Sequence, residues 1–240
     1  MWRRLIVGLG LITTTAMAAP AVEAQDQSIS VNVGYFTLRS TDSRADGDVL
    51  NANRCIDVSF ACEPLLFDVS DFNGATIGAE WLFGVGDFLE AGAGIGFSQR
   101  TVPSIYDNLV NIDQSEIQQD LKLRLVPLTA TLRFVPTGRR SSVQPYIGAG
   151  FGVIAWRYSE TGEFVDLDTD EIFAATFRDS GTEVVPIILG GVRAPVGDNF
   201  LIGGEVRWQR GEAELSTDDF LGDRIDIGGV TYQAVFQFRF

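Results

Sequence analysis

Gly229-Val230-Thr231-Tyr232-Gln233-Ala234-Val235-Phe236-Gln237-Phe238-Arg239-Phe240 decides the fold. From Tyr232 onward, Ala234, Phe236, Phe238 and Phe240 occupy every second position, with Gln233, Gln237 and Arg239 between them. A repeat of two puts the sets on opposite faces of a strand, where a helix would need a repeat near 3.6. The same alternation recurs upstream. Gly204, Val206 and Trp208 stand against Glu205, Arg207 and Gln209. Leu89, Ala91, Ala93, Ile95 and Phe97 alternate with Glu90, Gly92, Gly94, Gly96 and Ser98. Val126, Leu128, Ala130, Leu132 and Phe134 alternate with Pro127, Thr129, Thr131 and Arg133.

Eight such runs are legible, at about 28–40, 74–84, 88–101, 119–135, 143–158, 182–194, 199–214 and 228–240. The run at 182–194 is ambiguous, because Val184–Leu189 is apolar on both faces. Gly84–Asp87, Pro136–Ser142 and Pro195–Asp198 are short connections rich in turn residues. Residues 41–73, 102–118, 159–181 and 215–227 are long and polar, and are expected to be loops. Short and long links in alternation describe an antiparallel meander whose ends face different compartments, with both termini at the short-turn end.

Which face is apolar separates two architectures. A soluble barrel packs its apolar residues inside, and a membrane barrel inverts that order. The apolar face here carries bulky Phe, Trp, Ile and Leu, more than a small barrel can enclose. Glycine, threonine and a few long polar chains fit the interior instead. The expected fold is therefore all-β, an eight-stranded antiparallel up-and-down transmembrane barrel. Its inward set includes Glu80, Glu90, Arg133, Glu205, Arg207 and Arg239. Enclosed charges of both signs must pair, which predicts an ion-pair network plugging the lumen. A gated or selective pore lining is the alternative.

The N-terminal segment fits an export leader. Arg3 and Arg4 precede the apolar stretch Leu5–Ile12, and Val22-Glu23-Ala24 fits the small-x-small cleavage rule. Cleavage is expected after Ala24, or else after Ala18. Removing residues 1–24 takes away Arg3, Arg4 and Glu23 and moves the formal charge from −14 to −15. So acidic a chain lacks the basic surface that nucleic acid requires. No later stretch offers the ~18 uninterrupted apolar residues of a transmembrane helix. Cys55 and Cys62, an even pair in an exported chain, predict a disulfide.

The C-terminal Phe240, with Phe238, Phe236 and Tyr232 before it, resembles the last strand of bacterial outer-membrane proteins. The hairpin Val126–Phe134 and Gln144–Gly150 is similar to that of OmpW-like and OmpA-like small barrels. The resemblance implies an outer-membrane address, with lipid and lipopolysaccharide around the barrel, periplasmic termini and extracellular long loops. It also implies that Phe240, Phe238 and Tyr232 form the signal read by the barrel-assembly machinery.

The chain contains no histidine, which excludes Ser-His and Cys-His hydrolase arrangements. It also removes the usual mechanism of lipid-modifying barrels. No cofactor or metal site is expected. Asp166-x-Asp168-x-Asp170 is the best carboxylate spacing, but it lacks the glycine and downstream glutamate of an EF-hand. Acids crowd the long loops, where hydration is the simple expectation. Loop 41–73 is too long for a plain turn and carries Val58, Phe60, Leu65, Leu66, Phe67 and Phe72. The reading is a monomeric, non-enzymatic barrel with structural or surface-interaction duties. The rival, as resemblance to OmpW-like barrels implies, is a conduit for small hydrophobic molecules.

Overall fold

The computed structural model describes residues 27–56, 62–166, 169 and 171–240. The expected leader, Val58, Phe60, Asp168 and Asp170 lie outside the described residues.

Eight strands close into an antiparallel barrel. They are β1 (Gln27–Leu38), β2 (Gly74–Val85), β3 (Leu89–Val110), β4 (Glu116–Phe134), β5 (Gln144–Asp166), β6 (Glu171–Pro195), β7 (Phe200–Gln209) and β10 (Gly229–Arg239). Each pairs with its sequence neighbour, and β1 pairs with β10 to complete the ring. A two-stranded ribbon, β8 (Glu212–Glu214) with β9 (Arg224–Asp226), sits above it. Between β1 and β2 lie the four-residue helix α1 (Val49–Ala52) and 3-10 turns at Thr41–Ser43 and Val69–Phe72. The tight β2–β3 turn uses Gly86 at φ +67°, a left-handed conformation that glycine adopts without strain. The start of β1 and the end of β10 share one rim with the short turns, and there the Phe240 amide donates to the Gln27 carbonyl.

The strand faces sort as the alternation predicts. Ile147, Phe151 and Val184 are about two-thirds exposed (67%, 66% and 69%). That is untenable for a water-soluble barrel and natural for one wetted by hydrocarbon. The outward apolar band on β5 runs from Ile147 to Ala155. At ~3.3 Å per residue and a tilt near 40°, it rises about 20 Å, most of the ~25 Å lipid-facing band of such barrels.

Two expected loops are strands. β3 and β4 continue to a tight hairpin at 111–115, and β5 and β6 stay paired out to Asp166–Glu171, so the described residues of 102–118 and 159–181 are mostly ladder. The cause is a reversal of polarity along an unbroken strand. On β4, Leu121, Leu123 and Leu125 are buried inside while Asp120 and Arg124 are exposed outside. Beyond the lipid-facing band these strands form a collar with an apolar interior and a polar exterior, as in a soluble barrel. β7 is shorter than expected, ending at Gln209.

Lumen network, cap and loop-end cavity

At the short-turn half the lumen is filled by charge. Glu80 from β2 accepts from Arg133 of β4 and, at 2.9 Å, from the Thr131 hydroxyl. Arg133 also reaches Glu205 of β7 at 3.0 Å. Arg207 closes the ring at 2.9 Å from Glu205 and 3.4 Å from Glu80. Gln233 and the Tyr146 hydroxyl donate to Glu205 at 2.8 and 3.1 Å. Glycine makes this possible: a Cβ on Gly92 would lie 2.5 Å from Glu80 Oε1 and 2.7 Å from Thr131 Oγ1.

Four of the six expected lumen charges thus meet in one network. Glu90 joins a second centre instead, with Arg193 at 2.6 Å and Arg139 at 3.4 Å. Arg193 also donates to Gln144 and Gln237. Arg239 donates to Gln144 and to the Arg139 carbonyl. Tyr146 couples the centres, its ring lying 5.1 Å from the Arg133 guanidinium and 5.2 Å from that of Arg193. Sequence reading missed Arg193, although counting back by twos from it gives the inward set Gly191, Leu189, Ile187 and Val185. Arg139 lies in a turn and carries no periodic signal.

Above the charges the lumen turns apolar. Phe36, Leu38, Leu125, Ile154, Trp156 and Ile187 from the wall pack with Val49 and Leu50 of α1 and with Leu65, Val69 and Phe72. The described parts of 41–73 therefore fold inward as a cap, whose polar clamp is buried. Arg44 grips Asp48 at 2.7 and 2.8 Å and donates to the Asp226 carbonyl. Asp48 caps α1 by accepting from Leu50, and it also accepts the Asp226 amide at 2.7 Å. Arg39 pairs with the Asp226 carboxylate at 2.8 Å. Asp48 and Asp226 are thus not the hydrated loop acids that composition suggested. The Cys55–Cys62 disulfide is formed and closes the cap tip.

A cavity of about 320 Å³ opens between the cap and the collar. Tyr106, Phe164, Phe173, Phe177 and Phe220 line it, with Glu63, Asp218 and Asp219 also contributing. Glu160 also lines it, accepting from the Asn53 amide at 2.6 Å and the Tyr158 hydroxyl at 2.9 Å. Burial pushes the Glu160 carboxyl above its ordinary range, against the pull of those two hydrogen bonds. The Tyr158 hydroxyl is raised by burial and by the neighbouring Glu160. Among the described residues no cluster of potential metal ligands is present.

Tyr232, Phe238 and Phe240 all lie on the outer surface. Phe238 packs between Phe200 and Phe240 near the short-turn rim.

A closed eight-strand ring with an apolar exterior and a charged lumen is an outer-membrane-type β-barrel. No protein-family model matches the sequence, and a search of curated proteins found no match. Among solved structures, the chain is similar to Neisserial surface protein A, with 13% identity, 89% of this chain and 97% of that one covered, and a TM-score of 0.47. The attachment invasion locus protein Ail of Yersinia pestis, solved with the heparin analogue sucrose octasulfate, shows 11% identity, 90% and 99% coverage and a TM-score of 0.41. The protein AlkL, solved in lipid bilayers, shows 12% identity, 92% and 95% coverage and a TM-score of 0.40.

Proposed function

We propose that the protein is a monomeric, non-enzymatic outer-membrane barrel that holds a rigid collar and cap above the membrane as an interaction surface. In this reading the short-turn rim with both termini faces the periplasm, and the collar faces outward. Residues 1–24 are the leader, and the Tyr232–Phe238–Phe240 aromatics serve barrel assembly. The observation that carries it is the double closure of the lumen. The Glu80–Arg133–Glu205–Arg207 network blocks one half, and the cap with its apolar packing fills the other. Planar-bilayer recording of the full chain tests it, and no steady conductance is expected. Sustained ion current, altered by Arg207→Ala, would overturn closure and favour a pore.

One observation favours the conduit as second reading. The β3–β4 ladder is interrupted, its pairing passing from Ile95–Leu128 directly to Ser98–Leu125. Pro127 has no amide hydrogen to donate there. Saturable binding of a fluorescent alkyl probe, lost on deleting residues 58–67, would support passage from the mouth toward that seam.

A further inference from the structure

The strand register places four cations together on the outer wall, where the lipid-facing band ends. Arg124 follows Val126 on β4, and Arg157 follows Ala155 on β5, each as the first outward residue beyond the band. They stand directly opposite each other. One row further out, Lys122 is opposite Ser159, and Ser159 is opposite Arg178 of β6. Gln99, Thr101 and Ser180 complete the two rows and add neutral hydrogen-bonding groups.

This grouping is unfavourable for the protein alone. Directly opposed residues sit about 5 Å apart, and like charges there repel. Among the described residues none of the four has an ion-pair partner; Arg124 lies 5.4 Å from the Phe97 ring. The nearest acid on that face, Asp120, stands in the next row outward, opposite Thr161. The chain carries 32 acids against 18 bases, and Lys122 is its only lysine, so acids were abundantly available to neutralise the patch.

We propose that Arg124, Arg157, Lys122 and Arg178 bind the phosphates of a lipid headgroup in the leaflet around the collar. Guanidinium groups match phosphate oxygens in geometry and charge. The height fixes the source: directly below the patch lie Phe97, Val126 and Ala155, which contact acyl chains, so the cations stand where headgroups stand. Four cations over two rows suit a lipid with more than one phosphate. The inference rests on the membrane-barrel reading and is independent of whether the lumen conducts.

The test uses the full chain in phosphatidylcholine nanodiscs doped with diphosphoryl lipid A or its dephosphorylated form. Native mass spectrometry counts retained lipid, and thermal unfolding reads stability. Preferential retention of the diphosphoryl lipid is expected, lost at least about tenfold in Arg124→Gln/Arg157→Gln. Arg210→Gln, at an exposed arginine already facing Glu212, loses one comparable charge and is expected to retain the lipid. In phosphatidylcholine alone the double variant should unfold at a higher temperature than the parent, because repulsion is relieved, so lost retention is not lost folding. Equal retention of both lipids, or of the diphosphoryl lipid by the double variant, overturns the proposal. Displacement by millimolar inorganic phosphate overturns the lipid source. Failure of the chain to enter nanodiscs at all would instead sink the membrane-barrel reading.

Discussion

At the residue scale the decisive fact is that enclosed charges are tolerated only in company. Arg133 touches two glutamates and stacks on Tyr146, all deep in the lumen. Arg133→Met leaves Arg207 as the one cation in ion-pair range of Glu80 and Glu205 among the described residues. Breaking a buried pair from one side costs about 3–5 kcal/mol. That loss is expected in the urea midpoint for unfolding from lipid vesicles, and adding Glu80→Gln should recover part of it. Glu160 poses the opposite case outside the membrane. Its hydrogen-bond donors are neutral, and its carboxyl is raised by burial. The folded collar therefore holds this proton more tightly than the unfolded chain, and stability falls as pH rises through the raised value. Asp226, also raised by burial, contributes with the same sign. Hydrogen exchange at the amides of 49–53 should thus be slower near pH 5 than near pH 8, after correction for intrinsic rates. Glu160→Gln should reduce that difference.

At the element scale, cap and barrel are held by different forces and should separate experimentally. α1 has only four residues and cannot persist alone. It is kept by the Arg44–Asp48–Asp226 clamp and by burial of Val49 and Leu50. Asp48→Ala removes the helix cap, strands Arg44 without its carboxylate and frees the Asp226 amide. Limited proteolysis is expected to cut within 41–56 in this variant and not in the parent, while the heat-modifiable gel mobility of the barrel stays unchanged. A barrel that also unfolds would show that the cap is part of one cooperative unit. The clamp was not legible in the sequence, because Arg44 and Asp48 sit in irregular segments and Asp226 ends a three-residue strand, all too short for a period to announce burial. The strands were legible because lipid imposes period two on every exposed apolar residue. The same reasoning recovered Glu80, Arg133, Glu205 and Arg207 as partners, since an inward charge in a narrow lumen must find its opposite.

At the scale of the whole molecule the organising feature is a polarity that inverts with height while the strands run on unbroken. Reading for apolar residues on the outside succeeded from Ile147 to Ala155 and failed beyond Arg157. There β5 continues to Asp166 under the opposite rule. The extensions read as loops because each solvent imposes its own alternation, and a sequence carries no mark of where one solvent ends. The inversion predicts that one substitution should change its effect with height on a single strand. Phe151 lies midway along the outward band of β5, and Phe151→Arg places a charge in hydrocarbon. The expected cost is about 2–4 kcal/mol, read from refolding equilibria in vesicles. Thr161, outward on the same strand and exposed beyond the band, meets water, so Thr161→Arg should cost less than about 0.5 kcal/mol. Leu123, inside the collar of β4, has no access to water. Leu123→Arg buries an unpaired charge and should destabilise by several kcal/mol. If Phe151→Arg and Thr161→Arg cost the same, lipid does not wet this band, and the height at which the strands change their rule has been misplaced.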